Sequence, residues 1–140
     1  MAPIFPRSPR ENMCGWMHLP RLIDKIRLHH AAKLSPDYEA NLLHKGFDAL
    51  WFEVTGVDPA VFAAVVKNSI TDGEVAEWVR VNVKNSDAEK ASHRDRMLLT
   101  GTVGDDVIAR LKQRKSEANL SHRNDIKTFV DFIDADEGRS

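Results

Sequence analysis

The chain reads as an all-α protein: a compact single domain over residues 1–140, with about seven to nine short helices around a central helix at residues 19–32. Three observations predict this. Apolar residues recur at helical spacing, as in Leu19, Leu22, Ile23 and Ile26. Helix-start signals are dense, with three capping boxes of Ser or Thr followed three residues later by Glu, and several prolines placed for a first helical turn. No segment sustains period-two alternation, and no Asn-Gly or Asp-Gly turn separates β-branched runs.

Residues 1–7 contain Pro3 and Pro6, which predicts an extended arm pinned by Ile4 and Phe5. Ser8-Pro9-Arg10-Glu11 reads as a capping box, so a short helix should follow to about Cys14 and stop at Gly15. Pro20 opens the central helix, and Leu28 and Ala31 extend its apolar surface to a second face. Ser35-Pro36 starts a short helix with Tyr38 and Leu42, stopped by Gly46. Phe47, Leu50, Trp51 and Val54 carry the next helix to Gly56. Asp58-Pro59 begins another, with Val57 clasping Phe62 as a hydrophobic staple.

Thr71 and Glu74 form the second capping box, with Ile70 and Val75 as its staple. Ser86 and Glu89 form the third, opening a charged helix that ends at Met97, Leu98 and Leu99. Gly101 and Gly104 mark a loop before a helix carrying Val107, Ile108 and Leu111, with a basic end from Lys112 to Lys115. Ser121 is read as the cap of a last helix carrying Ile126, Phe129, Val130 and Ile133, and residues 135–140 as a frayed tail.

Net charge is −1, but charge is segregated along the chain. Residues 1–33 carry 6 Lys and Arg against 2 Asp and Glu, and residues 34–89 carry 4 against 10. The simplest outcome is that these segments pair with each other on folding. A near-neutral total argues against nucleic acid or an anionic membrane as partner. Cys14 is the only cysteine, so an intramolecular disulfide is excluded. No apolar run reaches signal-peptide length or the ~20 residues of a membrane span, so a cytoplasmic protein is expected.

Candidate chemistry concentrates on the central helix in Arg21, Asp24, Lys25 and Arg27. One reading is a solvated row of helix ion pairs, with Asp24 bridging Arg21 and Arg27. The other is an anion-binding or catalytic patch, in which the two arginines clamp the anion, Lys25 adds charge and Asp24 orients them or acts as a base. There is no Gly-rich phosphate loop and no HExxH, and adjacent His29 and His30 point about 100° apart. No metal and no cofactor are expected. Cys14 reads as a small buried residue rather than a nucleophile, although Arg10 and His18 flank it four residues away on either side. The helices 58–68 and 71–83 share the outline of a helix–turn–helix, but their basic residues (Lys67, Arg80 and, just beyond, Lys84) are outnumbered by acids.

With these signals aligned, the chain resembles a bacterial family known as a domain of unknown function. The resemblance rests on PRSPRE at Pro6 to Glu11, LPRLIDKIR at Leu19 to Arg27, TGVDPAVF at Thr55 to Phe62, TDGEVAEWV at Thr71 to Val79 and DADEGR at Asp134 to Arg139. It implies a stand-alone, mainly helical domain of about this length and assigns no functional residue. The function expected first is a non-catalytic binding or interaction domain, as a homodimer or a partner-docking adaptor. The alternative is a small-anion protein or enzyme acting on a carboxylate or phosphate.

Overall fold

A computed structural model describes residues 4–139. Among them are eight α-helices and one two-stranded ladder, so the protein is all-α in character. The chain forms two compact units, Met1–His93 and Arg94–Ser140, with the boundary inside a helix.

In the first unit the expected helix after Ser8 does not form. Ser8 makes only a local turn, accepting from Arg10 N at 3.1 Å on its hydroxyl and from Glu11 N at 3.1 Å on its carbonyl. A minimal hairpin follows, β1 (Asn12–Met13) paired antiparallel with β2 (Trp16–Met17). Its two-residue turn is Cys14-Gly15, both at positive φ (55° and 81°), the backbone geometry that suits the twist of a hairpin. Cysteine is an unusual occupant of that position, which hides the turn from any search for Asn-Gly or Asp-Gly.

Helix α1 (Leu19–His30) matches the expected central helix. Leu19, Leu22, Ile23 and Ile26 are all buried, and they join Trp16, Trp51, Phe52, Phe62, Val66, Val75, Val79 and Val83 in one core. Helix α2 (Pro36–Glu39) is shorter than expected, a single turn with none of its residues buried. Helix α3 (Gly46–Thr55) supplies Trp51 and Phe52, and α4 (Pro59–Lys67), capped by the Asp58 carboxylate accepting from Ala60 N at 2.8 Å, supplies Phe62 and Val66. Trp51 meets Trp16 edge-on at 6.0 Å and Phe62 at 5.0 Å between ring centroids. Each such buried aromatic contributes several kcal/mol; Phe or Trp to Ala changes in cores cost about 3–5 kcal/mol.

Helix α5 (Asp72–Asn82) carries the expected Thr71–Glu74 capping box. The staple does not close: Val75 is buried, but Ile70 is 89% exposed. Helix α6 (Asp87–Leu99) starts at the Ser86–Glu89 box, with Glu89 N donating to Ser86 Oγ at 3.1 Å and Ser86 N to Glu89 Oε1 at 3.0 Å. From α6, Lys90 donates to the Cys14 carbonyl at 3.0 Å and lies over the Trp16 ring.

The second unit holds α7 (Asp105–Glu117) and α8 (Phe129–Asp136), packed around Leu111, Ile126 and Phe132. The last helix begins at Thr128, not Ser121. Thr128 and Asp131 form a full capping box, and residues 120–127 make turns closed by the Arg123–Asp125 pair. Lys115 gathers this loop by donating to the carbonyls of Arg123 (2.8 Å) and Ile126 (3.3 Å). At the other end Arg139 pairs with buried Asp134 and Glu137, which holds the last described turn. No single helix among the described residues is long and apolar enough to cross a membrane.

Gly101 is the tightest backbone position of this unit. Its φ is +110°, and a Cβ there would lie 3.0 Å from Leu111 Cδ2, 3.1 Å from Thr128 Cα and 3.2 Å from Phe129 N. Gly101→Ala is therefore expected to destabilise the protein by about 2–3 kcal/mol, while Gly73→Ala, on helical backbone with ordinary contact distances, is neutral or mildly stabilising. Urea denaturation of the two variants beside the wild type checks the contrast.

Candidate functional site

The charged residues of α1 divide between two clusters. The deeper one is built on Asp48, the third residue of α3, where the positive end of the helix favours a carboxylate. Its Oδ1 accepts from His18 Nε2 at 2.7 Å. Its Oδ2 accepts from Lys25 Nζ at 2.7 Å and from Leu43 N at 3.1 Å. His18, Lys25 and Asp48 are all buried. His18 stands between β2 and α1 with left-handed backbone (φ 78°). It turns the chain from strand to helix, donating its N–H to the Glu11 carbonyl at 3.0 Å while its own carbonyl accepts from Leu22 N at 3.1 Å. Phe47 covers its ring edge-on at 5.9 Å.

The protonation states follow from these contacts. Burial pushes the Asp48 carboxyl up, but the hydrogen bonds from His18 and Lys25 and the positive charge of Lys25 outweigh it, holding Asp48 below the usual carboxylate range. Burial is the largest influence on His18 and pushes it below its ordinary value, against the pull of Asp48. Its Nδ1 is buried without a hydrogen-bond partner. A bare lone pair there costs far less than a second buried N–H and a second buried cation. The resident state is thus a Lys25–Asp48 ion pair with a neutral His18 donating from Nε2. Asp48 and His18 have the arrangement of an oriented general base, but Nδ1 is sealed from solvent and Lys25 is held as a salt-bridged cation.

The second cluster lies nearer the surface. Arg7, from the arm, grips Asp24 with both Nε (2.9 Å) and Nη2 (3.0 Å), and its backbone N–H adds a third bond at 2.8 Å. Arg7 Nη1 also donates to Asp72 at 2.8 Å, and Arg27 reaches the other oxygen of Asp72 at 2.6 Å. Burial opposes ionisation of Asp72, but the bonds from Arg7 and Arg27 win, so its pKa lies below the usual range. The arm is held by this ionic grip, while Ile4 and Phe5, expected to pin it, are only partly covered, at 49% and 37% exposure.

Of the four residues singled out from the sequence, Asp24 and Arg27 join one cluster through Arg7 and Asp72, and Lys25 joins the other. Arg21 is buried beside neither carboxylate, donating to the Arg7 carbonyl at 3.2 Å and lying over the Tyr38 ring at 5.6 Å. Asp24 is claimed by Arg7 in place of the expected bridge along the helix. His18 and Asp48 escape a reading of local spacing because they lie 30 residues apart. A signal for Asp48 does exist: it shares a helical face with Trp51 and Phe52, so a carboxylate there must be buried and answered. Among the described residues no group of three or more His, Cys, Asp and Glu is placed to hold a metal ion.

A family model described as a domain of unknown function (DUF5069) matches residues 4–139, and the chain belongs to that family. No curated protein matches it.

Two outcomes follow from the Asp48 cluster. Asp48→Asn leaves Lys25 and His18 without their anion and is expected to cost about 3–5 kcal/mol in urea denaturation at neutral pH. The second concerns pH. In the unfolded chain His18 binds a proton near its ordinary pKa of about 6.5, whereas the folded state resists it. Stability should fall as pH drops below about 6.5, and again below about 4 as Asp48 protonates. In His18→Gln the first decline shrinks relative to wild type across a pH series; equal slopes would contradict a neutral buried His18.

Proposed function

We propose that the chain is a non-catalytic, cytoplasmic interaction domain of a bacterial cell that pairs with a second copy of itself. One observation carries this reading. The charges of α1 that offered a site, Asp24, Lys25 and Arg27, are each answered by a counter-charge from elsewhere in the same chain. A phosphate or carboxylate entering there must displace Asp72 from Arg27 or Asp48 from Lys25, and breaking the second of these, a buried pair, is costly. What remains open to a partner is apolar surface in the second unit: Val103 is 70% exposed, Leu99 56% and Ile108 44%. Single exposed apolar residues are ordinary, but several within one short stretch mark contact surfaces. The chain's single cysteine, Cys14, leaves no intramolecular disulfide to form, in keeping with a cytoplasmic placement.

The reading predicts a sedimentation coefficient that rises with concentration over a roughly hundredfold range, the signature of a weak symmetric dimer. A single monomer species throughout overturns it. The small-anion alternative is tested in parallel: phosphate and carboxylate panels are expected to leave the melting temperature unchanged. A stabilisation that disappears in Arg21→Ala and Lys25→Ala would favour that alternative instead.

A further inference from the structure

The exposed face of α7 runs from acid to base along its length. Leu111, Val107, Lys115 and Ala118 turn inward, while Asp105, Ile108, Ala109, Lys112 and Ser116 fall within an outward arc of about 100°. Along that arc the order is acid, apolar, small, base. Asp105 and Lys112 make no ion pair or side-chain hydrogen bond with any described residue, although exposed pairs such as Arg80–Glu77 and Arg123–Asp125 do form elsewhere. They cannot answer each other: seven residues apart, they are separated by about 10 Å along the helix axis.

A second copy of the same helix, laid antiparallel, answers both. A twofold axis passing between Ile108 and Ala109 places Asp105 opposite the partner's Lys112 and Lys112 opposite the partner's Asp105. Each pair lies about 5 Å from the axis along the helix, because the two charges are equidistant from its midpoint. At the centre Ile108, 44% exposed, meets its own copy beside the small Ala109, which allows close approach. Val103, immediately before the helix, and Leu99 add exposed apolar surface at its N-terminal end. Other exposed apolar residues, such as Ile70 at the α4–α5 turn, have no such charge pattern around them to say what covers them.

Resting on the reading of a self-pairing domain, we propose that this α7 face is the dimer surface, and that the occupant is α7 of a second copy in antiparallel register. A contact of one helix pair is small, so the dimer is weak and salt-sensitive.

Charge reversal tests the register. Asp105→Lys and Lys112→Asp each place like charges opposite each other at both ends, and each alone should weaken self-association about tenfold. Mixed in equal amounts, the two variants should pair with each other, because every contact across the axis is again of opposite sign. The double variant Asp105→Lys/Lys112→Asp should likewise regain wild-type association. Unchanged thermal melting of the exposed-site variants shows that folding is intact. Wild-type association that neither single reversal weakens, or that is weakened without rescue in the mixture, overturns this surface and leaves the self-pairing domain standing. A wild type that stays monomeric at every concentration overturns both.

Discussion

A carboxylate buried in a helical core has to be answered inside the fold, and Asp48 is answered from three parts of the chain at once. His18 comes from the junction of hairpin and α1, Lys25 from the middle of α1, and Leu43 N from the turn ahead of α3. Each contact is local in space and distant in sequence. Together they fix the rotation of α1 about its axis, the entry angle of the chain at His18 and the position of the first turn of α3. Buried ion pairs add little net stability over apolar residues of the same size, but leaving one member alone is expensive. What the cluster contributes is therefore register. The driving force comes from Trp16, Trp51, Phe62 and the α1 leucines and isoleucines, each burying apolar surface at about 25 cal/mol per Å².

The same logic organises the shallower network at a lower stake. Arg7, Asp24, Asp72 and Arg27 are half-buried, so water screens their attraction and each pair is weak in isolation. Their geometry still matters. A two-pronged grip on Asp24 ties a proline-containing arm to α1, and the shared carboxylate of Asp72 ties that assembly to the start of α5. The segregation of charge along the chain finds its explanation here: basic residues before residue 33 meet acidic residues after it, at Asp48 and Asp72.

How much of this was readable beforehand depends on the range of the interaction. The α1 period, the Asp58 cap and the Thr71–Glu74 box are contacts within a few residues, and they appear where spacing places them. Ser8-Pro9-Arg10-Glu11 has the same local signature and fails. The three residues after it are needed in a hairpin that delivers Trp16 to the core and His18 to Asp48. Tertiary demand overrides a cap worth about 1 kcal/mol. Thr128 displaces Ser121 as the last helix start because its own box with Asp131 is complete and its neighbours pack on Leu111. The row on α1 was visible as a row, but its division was not. The partners that divide it, Arg7, Asp48 and Asp72, lie 17, 23 and 45 residues from Asp24, Lys25 and Arg27 respectively.

The protonation of His18 reports the charge balance at Asp48 from within the core. Nitrogen-15 NMR of the imidazole reads the tautomer and its titration in the folded protein. A His18 buried against Asp48 should show a single neutral form, protonated on Nε2, that persists below pH 6.5 until the protein unfolds. A ring that titrates near its ordinary value, or that carries its proton on Nδ1, would contradict a buried Lys25–Asp48–His18 cluster and the packing of α1 that depends on it.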